Sequence, residues 1–164
     1  MNTRLFITGG TIDGLEYDKV EDSPKNHHSL IPTLLTDLGL KENVISEELF
    51  AKDSKFITNR DRALIAKKST ECREEKIIIS HGTMTMVETA RYLGKLNIPK
   101  TIILFGALIP ANKLNSDATA NLSYALTNAQ KLPDGVYIVM NDEVFKPDNV
   151  KKNLTTGRFE LVNK

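Results

Sequence analysis

Five short apolar runs alternate with amphipathic segments along the chain. The runs are Arg4–Ile7, Asn43–Phe50, Lys76–Ser80, Thr101–Phe105 and Val136–Met140. They are rich in β-branched side chains, and the third, Lys-Ile-Ile-Ile-Ser, is typical of a strand buried on both faces. Strand signals that alternate with helix signals at this spacing predict βαβ units and a parallel sheet.

Four helices are predicted between these strands. Their expected bounds are Ser29–Gly39, Thr58–Arg73, a segment from Thr85, and Asp117–Leu132. The first has a serine cap, an early proline and a terminal glycine. The third shows a capping-box pattern, Thr85 with Glu88 three residues later. We therefore predict one α/β domain over residues 1–164, with three layers: an open, mostly parallel sheet and helices on both faces.

A polar segment, Leu15–His28, separates the first strand from the first helix and has no periodicity. Loops of this length in a compact domain are usually functional, so we predict a mobile loop that serves as a lid. Its only aromatic residue, Tyr17, either takes part in chemistry or fastens the loop to the body. A short extended piece is predicted before Lys146, and Lys151–Thr156 closes the ordered pattern.

Composition narrows the class of protein. The chain has 164 residues, 40% hydrophobic and 26% charged, with a net charge of +1. That charge gives no reason to expect a nucleic acid or membrane partner. Cys72 is the only cysteine, which excludes an internal disulfide and a cysteine-based metal site. Met1 leads straight into a strand without a signal-peptide pattern, so a cytoplasmic location is expected.

Hydroxyl side chains follow the predicted strands. Thr11 comes after Gly9-Gly10 at the end of the first strand, Ser54 after the second, and Thr83 after the third. Because parallel strands end at one edge of a sheet, and ligands bind there, these hydroxyls are expected to lie close together. Thr11 is a candidate nucleophile, although its own stretch is better explained as a simple turn when taken alone.

Several ordered motifs together resemble one family. Thr8–Ile12 and Ser80–Met86 are similar to the paired threonine signatures of the bacterial-type L-asparaginases, which hydrolyse the side-chain amide of asparagine. Further matches, in the family's order, are Gly106-Ala107, Asp117–Leu122, Gly135–Asp142 and Val150–Thr156. The resemblance covers nearly the whole chain and implies the fold of the family's amino-terminal domain alone, because its second domain has no counterpart here.

The resemblance implies four catalytic residues. Thr11 would attack the amide carbon, and Tyr17 would relay its proton. Thr83 matches the second threonine and Lys152 the lysine that works with it. A desolvated lysine can act as a base, whereas a charged ammonium would stabilise an oxyanion. Both roles of Lys152 stay open at this point.

Substrate contacts are implied at the same edge. Ser54, after Asp53, matches the serine that holds the α-carboxylate, although a turn residue that caps the next helix is an equal explanation. Backbone N–H groups near Thr83 and Ala107 are candidates for an oxyanion site.

One residue departs from the family pattern. Met84 stands where the family has an aspartate that pairs with the substrate's α-ammonium, and a thioether cannot replace a carboxylate there. We hypothesise that the Asp13 carboxylate, two residues from Thr11, takes over this contact. Glu16, Asp18 and Glu143 are candidates for the acidic residue that the family's second domain supplies.

The sequence thus predicts an asparagine amidohydrolase that works through a threonyl acyl-enzyme, with no metal or cofactor. The alternatives are a non-catalytic sensor of amino acids or amides, and an amidase for another small amide such as glutamine.

His81 is expected to orient the turn before Thr83, and His27-His28 to be solvated. A homodimer or higher homo-oligomer is expected, because surface that the missing domain would cover needs a partner.

Overall fold

The computed structural model describes residues 2–164. Its strands are β1 (Thr3–Gly9), β2 (Val44–Lys52), β3 (Lys76–Ser80), β4 (Thr101–Phe105), β5 (Gly135–Met140), β6 (Glu143–Phe145), β7 (Lys151–Lys152) and β8 (Phe159–Glu160). Its helices are α1 (Ile31–Asp37), α2 (Asn59–Glu71), α3 (Met86–Gly94) and α4 (Ala118–Lys131). Every predicted strand and helix is present, with ends shifted by a few residues.

The main sheet has the order β2-β1-β3-β4-β5-β6. The pairs from β2 to β5 are parallel and β6 is antiparallel to β5, so the predicted mostly parallel α/β sheet is confirmed. In the register, Ile7 lies opposite Ser80, and Ser80 lies opposite Phe105. This register brings the carboxyl ends of β1, β3 and β4 to one edge, where the following loops meet.

The two faces of the sheet are covered by different helices. Because side chains alternate along a strand, Leu5 and Ile7 join an apolar cluster with α1 and α4, whereas Phe6 joins another with α2 and α3. The predicted three-layer arrangement is therefore confirmed.

The predicted capping box of α3 is wrong. Thr85 occupies the N-cap position but makes no side-chain cap hydrogen bond. Its hydroxyl instead donates to the Ser54 carbonyl oxygen at 2.8 Å. Glu88 faces Arg62, with the carboxylate oxygen 3.4 Å from the guanidinium nitrogen. The tertiary contact with the loop after β2 thus takes the hydroxyl that a local capping motif would use.

The end of the chain forms a small hairpin of β7 and β8, which the sequence pattern did not reveal. Two-residue strands are too short to show a period of two. Phe159 of β8 is 5% exposed and packs near Phe145, with ring centroids 6.4 Å apart. This contact anchors the hairpin to the main sheet and fixes the position of Lys152.

No helix within residues 2–164 has the length and apolarity needed to cross a bilayer.

Candidate active site

A cavity of about 330 Å³ opens at the carboxyl edge of the sheet. It is bounded by the loops that follow β1, β2, β3 and β4 and by the β7–β8 hairpin. Its lining residues are Gly10, Thr11, Leu15, Glu16, Asp53, Ser54, Lys55, Gly82, Thr83, Met84, Leu108, Lys152, Thr156 and Gly157. Seven of the candidates named from sequence therefore meet here: Thr11, Glu16, Asp53, Ser54, Thr83, Met84 and Lys152.

Gly10 and Gly82 let the turn after β1 approach the turn after β3. Gly10 has φ +87°, and a Cβ built on it would lie 2.4 Å from the Gly82 nitrogen. No real side chain tolerates that distance, so only glycine fits both the backbone angle and the space. The Gly10 N–H donates to the Lys52 carbonyl at 2.9 Å. Thr11 follows directly and begins a short 3₁₀ turn on the cavity wall.

Thr83 and Lys152 form a hydrogen-bonded pair. The Lys152 amine nitrogen lies 2.7 Å from the Thr83 hydroxyl oxygen and 3.6 Å from the Met84 sulfur. Burial lowers the pKa of Lys152 from its ordinary value, and the Glu16 carboxylate acts in the opposite direction. A lysine with a lowered pKa loses its proton more readily, which is the property that a base toward a threonine hydroxyl requires.

Asp53 is a structural carboxylate at the cavity wall. It is 4% exposed and accepts hydrogen bonds from the N–H groups of Tyr17 and Lys55, each at 2.9 Å. Asp53 also caps the 3₁₀ turn that begins at Ser54. Two roles were predicted for Ser54, a turn residue or a substrate contact. It belongs to the turn, and it also lines the cavity.

Tyr17 fastens its loop rather than reaching Thr11. Its hydroxyl accepts a hydrogen bond from the Asp53 N–H at 3.2 Å, and its ring stacks on Phe56 with centroids 5.3 Å apart. Tyr17 does not line the cavity. The proton relay expected of Tyr17 is therefore not formed in this arrangement, and the alternative explanation, an aromatic that holds the loop to the body, describes what is seen.

Asp13 is not placed as the hypothesis of an ammonium contact requires, because it does not line the cavity. Asp13 is 4% exposed, and its carboxylate accepts hydrogen bonds from the Ser29 hydroxyl at 2.9 Å and the Leu30 N–H at 2.8 Å. These contacts hold the segment that leads into α1. Among the alternative carboxylates, Glu16 lines the cavity, whereas Asp18 and Glu143 do not.

Ala107 also lies off the cavity wall. It is 1% exposed and belongs to the apolar core, so the next residue, Leu108, lines the cavity instead. The Asp117 carboxylate fixes this loop by accepting the N–H groups of Leu108 and Ile109, each at 3.0 Å. The Gly-Ala motif thus belongs to a loop that reaches the cavity through Leu108.

Lys55 and Gly157 were not singled out by the sequence, whereas Thr156 lies in the last matching motif. Lys55 follows the Asp-Ser pair, and Thr156-Gly157 belongs to the hairpin. The two-residue strands of that hairpin leave no pattern in sequence, so the motif did not show that Thr156 and Gly157 line the cavity.

His81 lies below the cavity wall and is 0% exposed. One ring nitrogen, Nδ1, is 2.7 Å from the Gly82 carbonyl oxygen, and Nε2 is 2.8 Å from the Thr89 hydroxyl oxygen. Its expected role in orienting the turn before Thr83 is confirmed. Within residues 2–164, no group of three or more His, Cys, Asp or Glu side chains is placed to hold a metal ion.

The amino-acid sequence matches one family of proteins and several known members of it. Residues 3–162 match the family described as Asparaginase, N-terminal. The chain is 30% identical over 165 residues to Probable L-asparaginase periplasmic of Haemophilus influenzae, covering 95% of this chain and 47% of that protein. It is 31% identical over 177 residues to Glutaminase-asparaginase of Acinetobacter glutaminasificans, covering 99% and 53%.

Solved structures give the same result. The thermostable L-asparaginase from Thermococcus kodakarensis superposes with a TM-score of 0.83 at 28% identity, covering 100% of this chain and 52% of that one. The probable cytoplasmic L-asparaginase from Campylobacter jejuni gives 0.82 at 25%, covering 98% and 52%. The chain thus spans about half the length of the relatives it matches. It belongs to the asparaginase family, within the part that forms the family's amino-terminal domain.

Proposed function

We propose that this chain carries the catalytic centre of an amidohydrolase that converts L-asparagine to L-aspartate and ammonia, with Thr11 as the nucleophile. The single observation that carries the proposal is the shared cavity: Thr11, Thr83 and Lys152 line one space, and the Lys152 amine is 2.7 Å from the Thr83 hydroxyl. The relatives' names supply the substrate class, and the cavity supplies the chemistry.

The reaction proceeds through an acyl-enzyme. The Thr11 hydroxyl oxygen attacks the side-chain amide carbon, and the hydroxyl proton ends on the leaving nitrogen, which departs as ammonia. The Thr83–Lys152 pair carries the proton between these positions. Water then attacks the ester carbon, so that the carboxylic acid leaves and Thr11 regains its hydroxyl. A neutral Lys152 is the base in this scheme, because its lowered pKa favours loss of the proton.

Substrate charges are met by residues of the cavity wall. Ser54 holds the α-carboxylate. Asp53 has its oxygens occupied by backbone N–H groups. Glu16, which is exposed and lines the cavity, takes the α-ammonium that the family's aspartate would bind at the position of Met84.

The test is ammonia release from asparagine. Thr11→Ala removes the nucleophile, and we expect the rate to fall on the order of 10³-fold or more. Thr11→Ser keeps a hydroxyl and should retain part of the activity. Thr127→Ala is the matched control, because Thr127 is exposed on α4 and its hydroxyl bonds only to the Ser123 carbonyl. Ammonia release by Thr11→Ala at the wild-type rate would contradict the assigned nucleophile.

Glutamine is the second candidate substrate, because three relatives are named glutaminase-asparaginase. Wild-type rates on the two amides, compared at equal concentration, decide between them. Absence of turnover on both, together with tight binding of either, would support the non-catalytic sensor instead.

A cytoplasmic location and a homo-oligomeric state complete the proposal. The single cysteine, Cys72, is compatible with a reducing compartment. Exposed apolar side chains near the cavity edge, Leu114 at 88% and Leu154 at 78%, favour a partner subunit there.

A further inference from the structure

A line of buried polar groups runs from α2 to the cavity wall. The Arg62 Nε–H lies 2.9 Å from the Thr89 hydroxyl oxygen. That oxygen is 2.8 Å from His81 Nε2, and His81 Nδ1 is 2.7 Å from the Gly82 carbonyl oxygen. Arg62 is 7% exposed, and Thr89 and His81 are 0% exposed. None of the steps proposed above uses this line.

The proton positions along the line follow from its two ends. A carbonyl oxygen only accepts, so His81 Nδ1 must carry the hydrogen. In the neutral ring Nε2 then accepts, and the Thr89 hydroxyl donates to it. The Thr89 oxygen in turn accepts from Arg62, which only donates. Burial lowers the pKa of His81 to about 4, which keeps the ring neutral and this direction of donation fixed.

The peptide at the end of the line has little freedom. A Cβ on Gly82 would lie 2.6 Å from the Ser54 Cβ, and a Cβ on Gly10 would lie 2.4 Å from the Gly82 nitrogen. Gly82 is therefore packed between the turns after β1 and β2. The C=O and N–H of one trans peptide point in opposite directions. The Gly82 carbonyl is held toward buried His81, so the Thr83 N–H lies on the opposite side of this peptide, and Thr83 itself lines the cavity.

We propose that His81, Thr89 and Arg62 are positioning residues that hold the Gly82–Thr83 peptide, so that the Thr83 N–H stabilises the oxyanion formed when Thr11 attacks. The proposal rests on the function proposed above. A backbone donor fixed before the reaction stabilises charge in the transition state more than in the ground state. Loss of the line should therefore reduce kcat while KM stays nearly constant.

Two matched pairs of variants test the line. Thr89→Val keeps the side-chain shape but removes the hydroxyl, whereas Thr89→Ser keeps the hydroxyl. His81→Leu removes the donor to Gly82, whereas the amide nitrogen of His81→Asn reaches the place of Nδ1 and restores it. We expect Thr89→Val and His81→Leu to lower kcat by about 10- to 100-fold with KM within about twofold. Thr89→Ser should stay within about threefold of wild type, whereas His81→Asn, which restores the donor to Gly82 but not the acceptor for Thr89, should recover only part of the kcat lost in His81→Leu.

A binding measurement separates oxyanion stabilisation from folding. The Thr11 hydroxyl oxygen adds to the aldehyde carbon of aspartate β-semialdehyde. The π bond of the C=O group opens, the hydroxyl proton passes to the Thr83–Lys152 pair, and the former carbonyl oxygen occupies the oxyanion position. Aspartate makes the other contacts without this adduct. Thr89→Val and His81→Leu should weaken semialdehyde binding by about the same factor as kcat and leave aspartate binding within about twofold. Circular dichroism melts identify any variant that is unfolded, and Thr89→Val is then compared with Thr89→Ser alone.

Three results would overturn the proposal. One is equal kcat in the Val and Ser variants of Thr89. Another is an equal loss of affinity for semialdehyde and aspartate. The third is a nitrogen NMR spectrum of the wild type in which His81 carries its proton on Nε2 instead of Nδ1. A wild type that releases no ammonia contradicts the proposed function alone, because the NMR and binding measurements need no turnover and still decide the positioning role.

Discussion

Lys152 reaches the cavity from a two-residue strand, and its amine lies between the Thr83 hydroxyl and the Met84 sulfur. Neither neighbour carries a charge that would stabilise an ammonium. Glu16 is the carboxylate that acts on the pKa of this lysine, and it does so from an exposed position on the cavity wall. The chemistry at this residue is therefore set mainly by burial, with one opposing charge.

The pH dependence of kcat tests how burial and the Glu16 carboxylate together set the pKa of Lys152. If neutral Lys152 is the base, kcat rises with pH and levels off above the pKa of Lys152. Glu16 raises this pKa, so Glu16→Gln lowers it and moves the rising limb toward lower pH. The same variant should raise the KM for asparagine, because the proposed ammonium partner is lost. Rates of ammonia release measured across pH test both effects; a kcat that falls as pH rises would instead make the charged ammonium the active form.

His81 makes folding stability sensitive to acid. Its folded pKa is about 4, below its ordinary value of 6.5, so the unfolded chain binds the proton more readily. Stability is then full above pH 6.5 and is lost as pH falls toward 4, by about 3 kcal/mol for the whole interval. Urea unfolding at several pH values measures this slope. His81→Asn has no titrating ring and should flatten it; an unchanged slope would show that other groups cause it.

At the scale of elements, the site depends on how closely three turns approach each other. The turns after β1, β2 and β3 meet at Gly10, Ser54 and Gly82, where a single added methyl group would overlap backbone or side-chain atoms. The parallel register aligns β1 with β3, and the short loops then leave space only for glycine. The close packing of these three turns therefore shapes the wall of the cavity.

Gly10→Ala tests that packing. The new Cβ would meet the Gly82 backbone at 2.4 Å, and φ is +87°. We expect loss of ammonia release and a destabilisation larger than the roughly 1–2 kcal/mol that a positive φ alone costs a non-glycine residue. Gly14→Ala is the matched control, because Gly14 has φ +72° with nothing within 4 Å of its Cβ. Equal stability and activity of the two variants would contradict the steric argument.

At the scale of the whole molecule, the two most exposed large apolar side chains within residues 2–164 lie on loops at the edge that holds the cavity. Leu114 lies in the loop between β4 and α4, and Leu154 lies in the turn of the β7–β8 hairpin. They are 88% and 78% exposed. Large apolar side chains this exposed favour contact with a partner.

Light scattering with size exclusion tests the predicted homo-oligomer. We expect a dimer or larger assembly at micromolar concentration. The double variant Leu114→Ser with Leu154→Ser should dissociate it, because the apolar area at this edge is reduced. Leu96→Ser is the control, since Leu96 is 48% exposed after α3, at the opposite edge of the sheet. A wild-type monomer would contradict the prediction, and dissociation by Leu96→Ser alone would place the interface elsewhere.

The amino-acid sequence by itself determined the α/β class, the four helices, the strands of the main sheet, and the edge of that sheet where Thr11, Ser54 and Thr83 lie. It did so because local hydrophobic period and turn glycines fix elements and their order. The motifs also indicated Lys152, although the strand that carries it was too short to recognise.

Only the tertiary structure decided the partners of individual polar groups. Asp13 was expected in the cavity and instead holds the segment before α1, and Thr85 was expected to cap α3 and instead binds the Ser54 carbonyl. Such choices depend on which distant loop lies within about 3 Å of a side chain, and no local pattern encodes that distance. For the same reason, the hydrogen-bonded line from Arg62 to Gly82 exists only once α2, α3 and the turn after β3 have packed together.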